Sequence, residues 1–96
     1  MKTTIFDVSE ILNNEEMIAE YLSAVIEEND TGLLLKAIGH IAKARGMSKI
    51  AIESGLGRES LYKALSSRGN PRLTTLQGIL KSLGLRIAVA PATEAA

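Results

Sequence analysis

Arg58, Glu59, Tyr62 and Lys63 lie within six consecutive residues. A helix beginning near Arg58 turns all four outward and turns Leu61, Ala64 and Leu65 inward. An arginine fork matches the paired acceptors of a guanine edge, and a glutamate can accept from a cytosine amine. The chemistry these types offer is hydrogen-bond readout of base edges. Ser48 and Lys49 upstream, and Ser67, Arg68, Asn70 and Arg72 downstream, supply the hydroxyls, amide and cations that hold phosphates. An ordinary helical hairpin would also carry charges on its solvated face, and any surface loop has a similar composition.

Catalytic chemistry has no comparable basis. No His–Cys pair, Ser–His–Asp set or phosphate loop occurs. Glu15–Glu16 and Glu27–Glu28 are adjacent in sequence and point to different helix faces, which is poor geometry for a shared acid–base site. His40 is the single histidine and cysteine is absent, so neither a metal site nor a disulfide framework is expected. The expected reading is a non-enzyme with no cofactor.

The stretch that must position the four side chains runs from Met47 to Leu65. Ser48 is placed to cap a first helix with its hydroxyl. Ile50, Ala51 and Ser54 share one face of it. Gly55 follows, where a chain leaving a helix turns into the left-handed region. Leu56 plugs the corner, and the second helix starts near Arg58. A small residue four positions before a turn glycine, with apolar residues at the packing positions, is the pattern of a helix-turn-helix.

The rest of the chain reads as support. With 96 residues and 46% apolar content, a single domain over residues 1–96 with one core is expected. The opening residues lack a signal-peptide pattern, and no run reaches the ~18 apolar residues of a membrane span. A cytoplasmic protein with no membrane partner follows as the expectation. The formal net charge of zero conceals a split. Residues 1–30 hold one lysine against eight carboxylates, a net −7, and residues 31–96 hold ten Lys and Arg against three, a net +7. Such asymmetry points to two kinds of partner, or to two solvated faces.

In order, residues 1–6 read as an extended arm, and Asp7 to Glu10 has capping-box spacing before a short helix to about Leu12. Asn13 or Asn14 caps a helix running to about Glu28, with an apolar stripe of Met17, Tyr21, Leu22 and Val25 flanked by Ile18. These acidic helices cover residues 7–29. A third helix spans Leu33 to about Arg45, with Leu34, Ile38, Ile41 and Ala42 inward. Gly39 is placed for a close helix approach, and Gly46 as a cap. After the motif and a loop closed by Pro71, a helix over about Thr74–Leu83 turns Leu76, Ile79, Leu80 and Leu83 inward before Gly84. The core thus covers 31–83. Leu85–Ala90 alternates with period two and reads as a short β-strand in need of a partner strand, from the arm, a second copy or another protein. The predicted class is all-α, with five to six short helices and one C-terminal strand.

FDVSEIL, AEYLSAVIEEND, LLLKAIGHIAKARGMSKIA, SGLGRESLYKALS, GNP and LKSLGLRIAV together resemble the addiction-module antidote family. These are the Xre/lambda-repressor-type, HigA-like antitoxins that accompany small RelE/ParE/HigB-like toxins. The resemblance covers about residues 5–90, and RESLYKAL to GNP is its most specific part. It implies a lambda-repressor-like fold, operator binding as a homodimer, repression of the chain's own operon and neutralisation of a toxin. Two positions depart from the pattern. Gly57 stands where a serine usually caps the recognition helix. Ile52 stands where family members usually carry a polar residue, so it either packs under the last helix or marks an interface.

The function expected on these grounds is a DNA-binding antitoxin. Arg58, Glu59, Tyr62 and Lys63 would contact bases of double-stranded DNA; Ser48, Lys49, Ser67, Arg68, Asn70 and Arg72 would contact phosphates. A small basic toxin would meet either the acidic N-terminal segment or the C-terminal strand. A solitary Xre-type transcriptional repressor shares every DNA-binding feature. An interaction module that never touches DNA is the third possibility.

Overall fold

The computed structural model describes residues 14–92. The N-terminal arm, the Asp7–Glu10 capping box and the short helix after it lie outside the described residues. Among the described residues five helices follow one another: α1 (Glu15–Ile26), α2 (Thr31–Arg45), α3 (Met47–Ser54), α4 (Arg58–Ala64) and α5 (Leu73–Ser82). No strand occurs among the described residues. The expected all-α class holds. Residues 85–90 have the alternation of a strand but no ladder, because no second extended segment among the described residues lies beside them to accept and donate their backbone hydrogen bonds.

Local chemistry sets most helix ends. Asn14 caps α1 by accepting from the Met17 N–H at 3.1 Å, and Asp30 caps α2 by accepting from the Leu33 N–H at 3.1 Å. The helix α1 ends at Ile26, earlier than Glu28, and Asn29 turns the chain with φ 58°. At the α3 end, Gly55 has φ 79°, and the Leu56 N–H returns to the Ala51 carbonyl at 3.1 Å. The α5 end repeats the device, with Gly84 at φ 80° and the Leu85 N–H on the Leu80 carbonyl at 2.8 Å. Both are Schellman-type ends, which close orphan carbonyls with a left-handed residue.

The start of α3 corrects the sequence reading. Ser48 makes no capping bond; it lies inside the first turn, and Gly46 occupies the cap. Gly46 donates to the Ala42 carbonyl at 2.9 Å, ending α2, and accepts from the Ile50 N–H at 3.1 Å, starting α3. One residue therefore ends one helix and begins the next, leaving no separate position for a serine cap. Its φ of 108° suits glycine alone.

The core forms where α1 packs on α2, and α2, α4 and α5 pack on α3. Ile18, Ile38, Ile41, Ile50, Leu61, Ile79 and Leu83 are fully or almost fully buried. In α1 the stripe is centred differently from its predicted position. Ile18, predicted on the flank, is fully buried, and Met17 is 41% exposed. Leu35 and Ala37 are also buried in α2, and Leu34 is only half-buried. Gly39 does lie against α4, but a Cβ there would meet the Leu65 carbonyl oxygen at 3.5 Å, an ordinary contact.

Candidate nucleic-acid interface

Helix α4 anchors itself through Leu61 and, just past its end, Leu65, both buried. Its remaining residues divide by helical angle into an outer face and two flanks. Glu59 and Lys63 lie on the outer face. Arg58 and Tyr62 lie on one flank and Ser60 on the other. Arg58, Glu59, Tyr62 and Lys63 are all exposed, as predicted from their spacing. The Arg58 guanidinium carbon stands 5.7 Å from the Tyr62 ring centroid. This cation–π contact between two exposed side chains favours the guanidinium lying beside the ring. Gly57 begins the helix with extended backbone and no side-chain cap.

Each flank of α4 borders a groove. The first, of about 300 Å³, lies between α4 and α2 and is lined by Tyr62, Ser66 and Ser67 together with Lys36, His40 and Lys43. The second, of about 730 Å³, lies toward α5 and is lined by Ser60, Lys63, Arg68, Asn70, Arg72 and Thr75. The loop shape behind this groove depends on Gly69. A Cβ there would overlap the Ala64 carbonyl oxygen and lie 2.9 Å from that of Lys63. Ser66 accepts the Gly69 N–H on its backbone oxygen at 2.8 Å, and its hydroxyl donates to the Lys63 carbonyl at 3.1 Å.

The structure thus collects Lys63, Arg68, Asn70 and Arg72 on one groove and Tyr62 and Ser67 on the other. Ser48 and Lys49 are exposed in the first turn of α3, beside Met47, which lines the first groove. Arg58 and Glu59 are in neither groove wall. Among the described residues no carboxylate pairs with these cations; the ion pair that does form, Arg45 Nη2 to Glu15 Oε2 at 3.7 Å, ties α2 to α1. Sequence reading missed Lys36 and Lys43. Their signal was present: with His40 they recur at i, i+4 and i+7 of α2, opposite its buried residues.

A second surface is apolar. Leu22 and Ile26 of α1, Leu34 of α2, Leu80 of α5 and Ile87 wall a groove of about 430 Å³. Ile26 is 54% exposed and Val89, farther along the same C-terminal segment, 94%. Residues 14–35 carry six carboxylates and no lysine or arginine, and Glu16, Glu20, Glu27 and Glu28 are all exposed. Ile52, 80% exposed on α3, packs under nothing among the described residues. No described helix is long and apolar enough to cross a membrane.

Comparison with known proteins adds the family. A Haemophilus influenzae protein described as "Uncharacterized protein" is 48% identical over 84 residues, spanning 88% of this chain and 87% of its own length. No solved structure matches the chain. The family model described as "Probable addiction module antidote protein" matches residues 2–91, nearly the whole sequence. With helices, core and exposed faces all inside that span, the chain belongs to the addiction module antidote family.

Proposed function

We propose that this antidote is a DNA-binding antitoxin that represses its own operon and neutralises a RelE/ParE/HigB-like toxin. The observation that carries the DNA half is α4 itself, an exposed Arg–Glu–Tyr–Lys face set between two grooves that bear cations. A helix with its side chains is about 10–12 Å across, which matches a major groove about 12 Å wide between two phosphate strands. In this reading α3 and α4 are a helix-turn-helix of the Xre type. Arg58, Glu59, Tyr62 and Lys63 meet base edges. Ser48, Lys49 and Ser67 serve one backbone; Arg68, Asn70 and Arg72 serve the other. One such module reads few bases, so a homodimer on two half-sites about one helical turn apart supplies the specificity. Pairing of residues 85–90 between two copies is one way to build it.

The toxin half rests on the acidic α1 surface and the apolar groove beside it. The two candidate docking segments in the sequence, the acidic helix and residues 85–90, share this groove, since α1 and Leu85–Ala88 both line it. A basic partner with an apolar anchor is the complementary shape and charge. Removing residues 1–30 is a poor test, because Ile18 and Leu22 belong to the core. Ile26→Arg and Ile87→Arg alter the groove and leave that core intact.

The test has two arms. Binding is measured on duplex DNA from upstream of the chain's own coding sequence and on a scrambled duplex of equal composition. Tighter binding to the upstream duplex is expected, and equal or absent binding refutes the repressor reading. The tagged protein is co-expressed with the small basic protein of the adjacent reading frame. Stoichiometric co-purification that is lost in Ile26→Arg and Ile87→Arg is expected; no co-purification refutes the antitoxin reading.

A further inference from the structure

The function proposed above assigns no contact to the individual cations of α2 that line the first groove. Lys36, His40 and Lys43 occupy an arc of roughly 60° on the outward side of the helix, at 100° per residue. Leu34 and Ile38, which face the apolar groove, lie about half a turn away. All three polar residues are exposed. Across from them stand Tyr62, at the flank of α4, and Ser66 and Ser67 just beyond its end. Two ammonium groups, an imidazole and three hydroxyls therefore converge on one open groove from two separate elements. No carboxylate lines it.

From this geometry we infer that the Lys36–His40–Lys43 face of α2 is a DNA-backbone site, binding phosphates of the strand that runs along the Tyr62 flank of α4. The inference rests on the proposed DNA reading and extends it to a helix outside the motif. Ammonium groups suit this task as point charges without base preference, whereas the fork of Arg58 suits a base edge. Lys36 and Lys43 are two turns apart, about 10 Å along the helix, too far to share one phosphate, so each neutralises its own. Gly32 permits this placement. A Cβ there would stand 2.8 Å from the Ser67 carbonyl oxygen, so the absence of a side chain lets the N-terminal end of α2 lie close against the loop after α4.

Phosphate neutralisation releases counterions, so it is read from the salt dependence of binding. Dissociation constants on the upstream and scrambled duplexes are measured across a salt series for the full chain, Lys36→Gln, Lys43→Gln and the double variant. Lys81→Gln, on the exposed side of α5, controls for net charge. Each lysine lost from α2 should lower the slope of log affinity against log salt by about one. Between 50 and 200 mM salt the double variant should then lose about 12-fold less affinity than the parent chain. The ratio of upstream to scrambled binding should not change. Circular dichroism confirms that the variants fold. Unchanged slopes, or an equal effect from Lys81→Gln, overturn the inference and leave the DNA reading intact. If the parent chain binds neither duplex, both fall together.

Discussion

Replacing glycine by alanine at positions 39 and 69 makes the same chemical change with opposite expected sign. Gly39 lies in the middle of α2, and an added Cβ would stand 3.5 Å from the Leu65 carbonyl oxygen and 3.6 Å from the Leu65 Cβ. Both are ordinary contacts, so the helix gains the propensity difference between glycine and alanine, about 0.5–1 kcal/mol. Gly69 lies in the loop after α4, and its Cβ would overlap the Ala64 carbonyl oxygen and crowd that of Lys63 at 2.9 Å. Both obstacles are backbone, so the loop itself must move, at about 1–3 kcal/mol. For a domain of this length each kcal/mol shifts Tm by about 4–8 °C. Gly39→Ala should raise Tm by about 2–8 °C, and Gly69→Ala should lower it by at least about 4 °C. Thermal and urea unfolding followed by far-UV circular dichroism provide the readout, with m unchanged if only stability has moved. A lowered Tm for Gly39→Ala, or an unchanged Tm for Gly69→Ala, refutes the assigned approach of α2 and the loop to α4. Because Arg68 and Asn70 flank Gly69, that variant should also bind DNA more weakly if the loop holds phosphates.

Arg58→Ala should narrow the difference between upstream and scrambled duplexes by about 1–3 kcal/mol, and Lys49→Ala should weaken both alike; titrations showing the reverse pattern would exchange their roles. Ile18→Ala empties a fully buried site and should cost about 2–5 kcal/mol in a urea melt, whereas truncation of the exposed Met17 should cost far less. Gly57 has open space around its Cα, so Gly57→Ser should add a capping hydroxyl and raise stability by about 0.3–1 kcal/mol in the same melt. Asp30→Ala removes the acceptor for the Leu33 N–H and should cost about 1 kcal/mol.

The sequence by itself determined what depends on neighbours along the chain. Gly55 and Gly84 end their helices where the apolar period stops, the Asn13–Asn14 pair brackets the start of α1, and the outward set on α4 follows from 3.6-residue periodicity around Leu61 and Leu65; the choice of Asn14, and the start of α2 at Thr31 behind an Asp30 cap instead of at Leu33, came from the structure. Capping and periodicity act over three to five residues, so a linear reading reaches them. Only tertiary structure decided what depends on which helices meet. The α1 stripe rotated away from Met17 toward Ile18 because α2 supplies the surface that buries it. Ser48 gave up its cap because α2 and α3 abut at one glycine. Lys36 and Lys43 drew no reading from the sequence until α2 was placed beside Tyr62, and the acidic helix and residues 85–90 read as rival segments until α1 and Leu85–Ala88 came to line one groove. Burial and charge convergence are properties of surfaces brought together across the chain, and periodicity within one helix carries no information about the surface opposite.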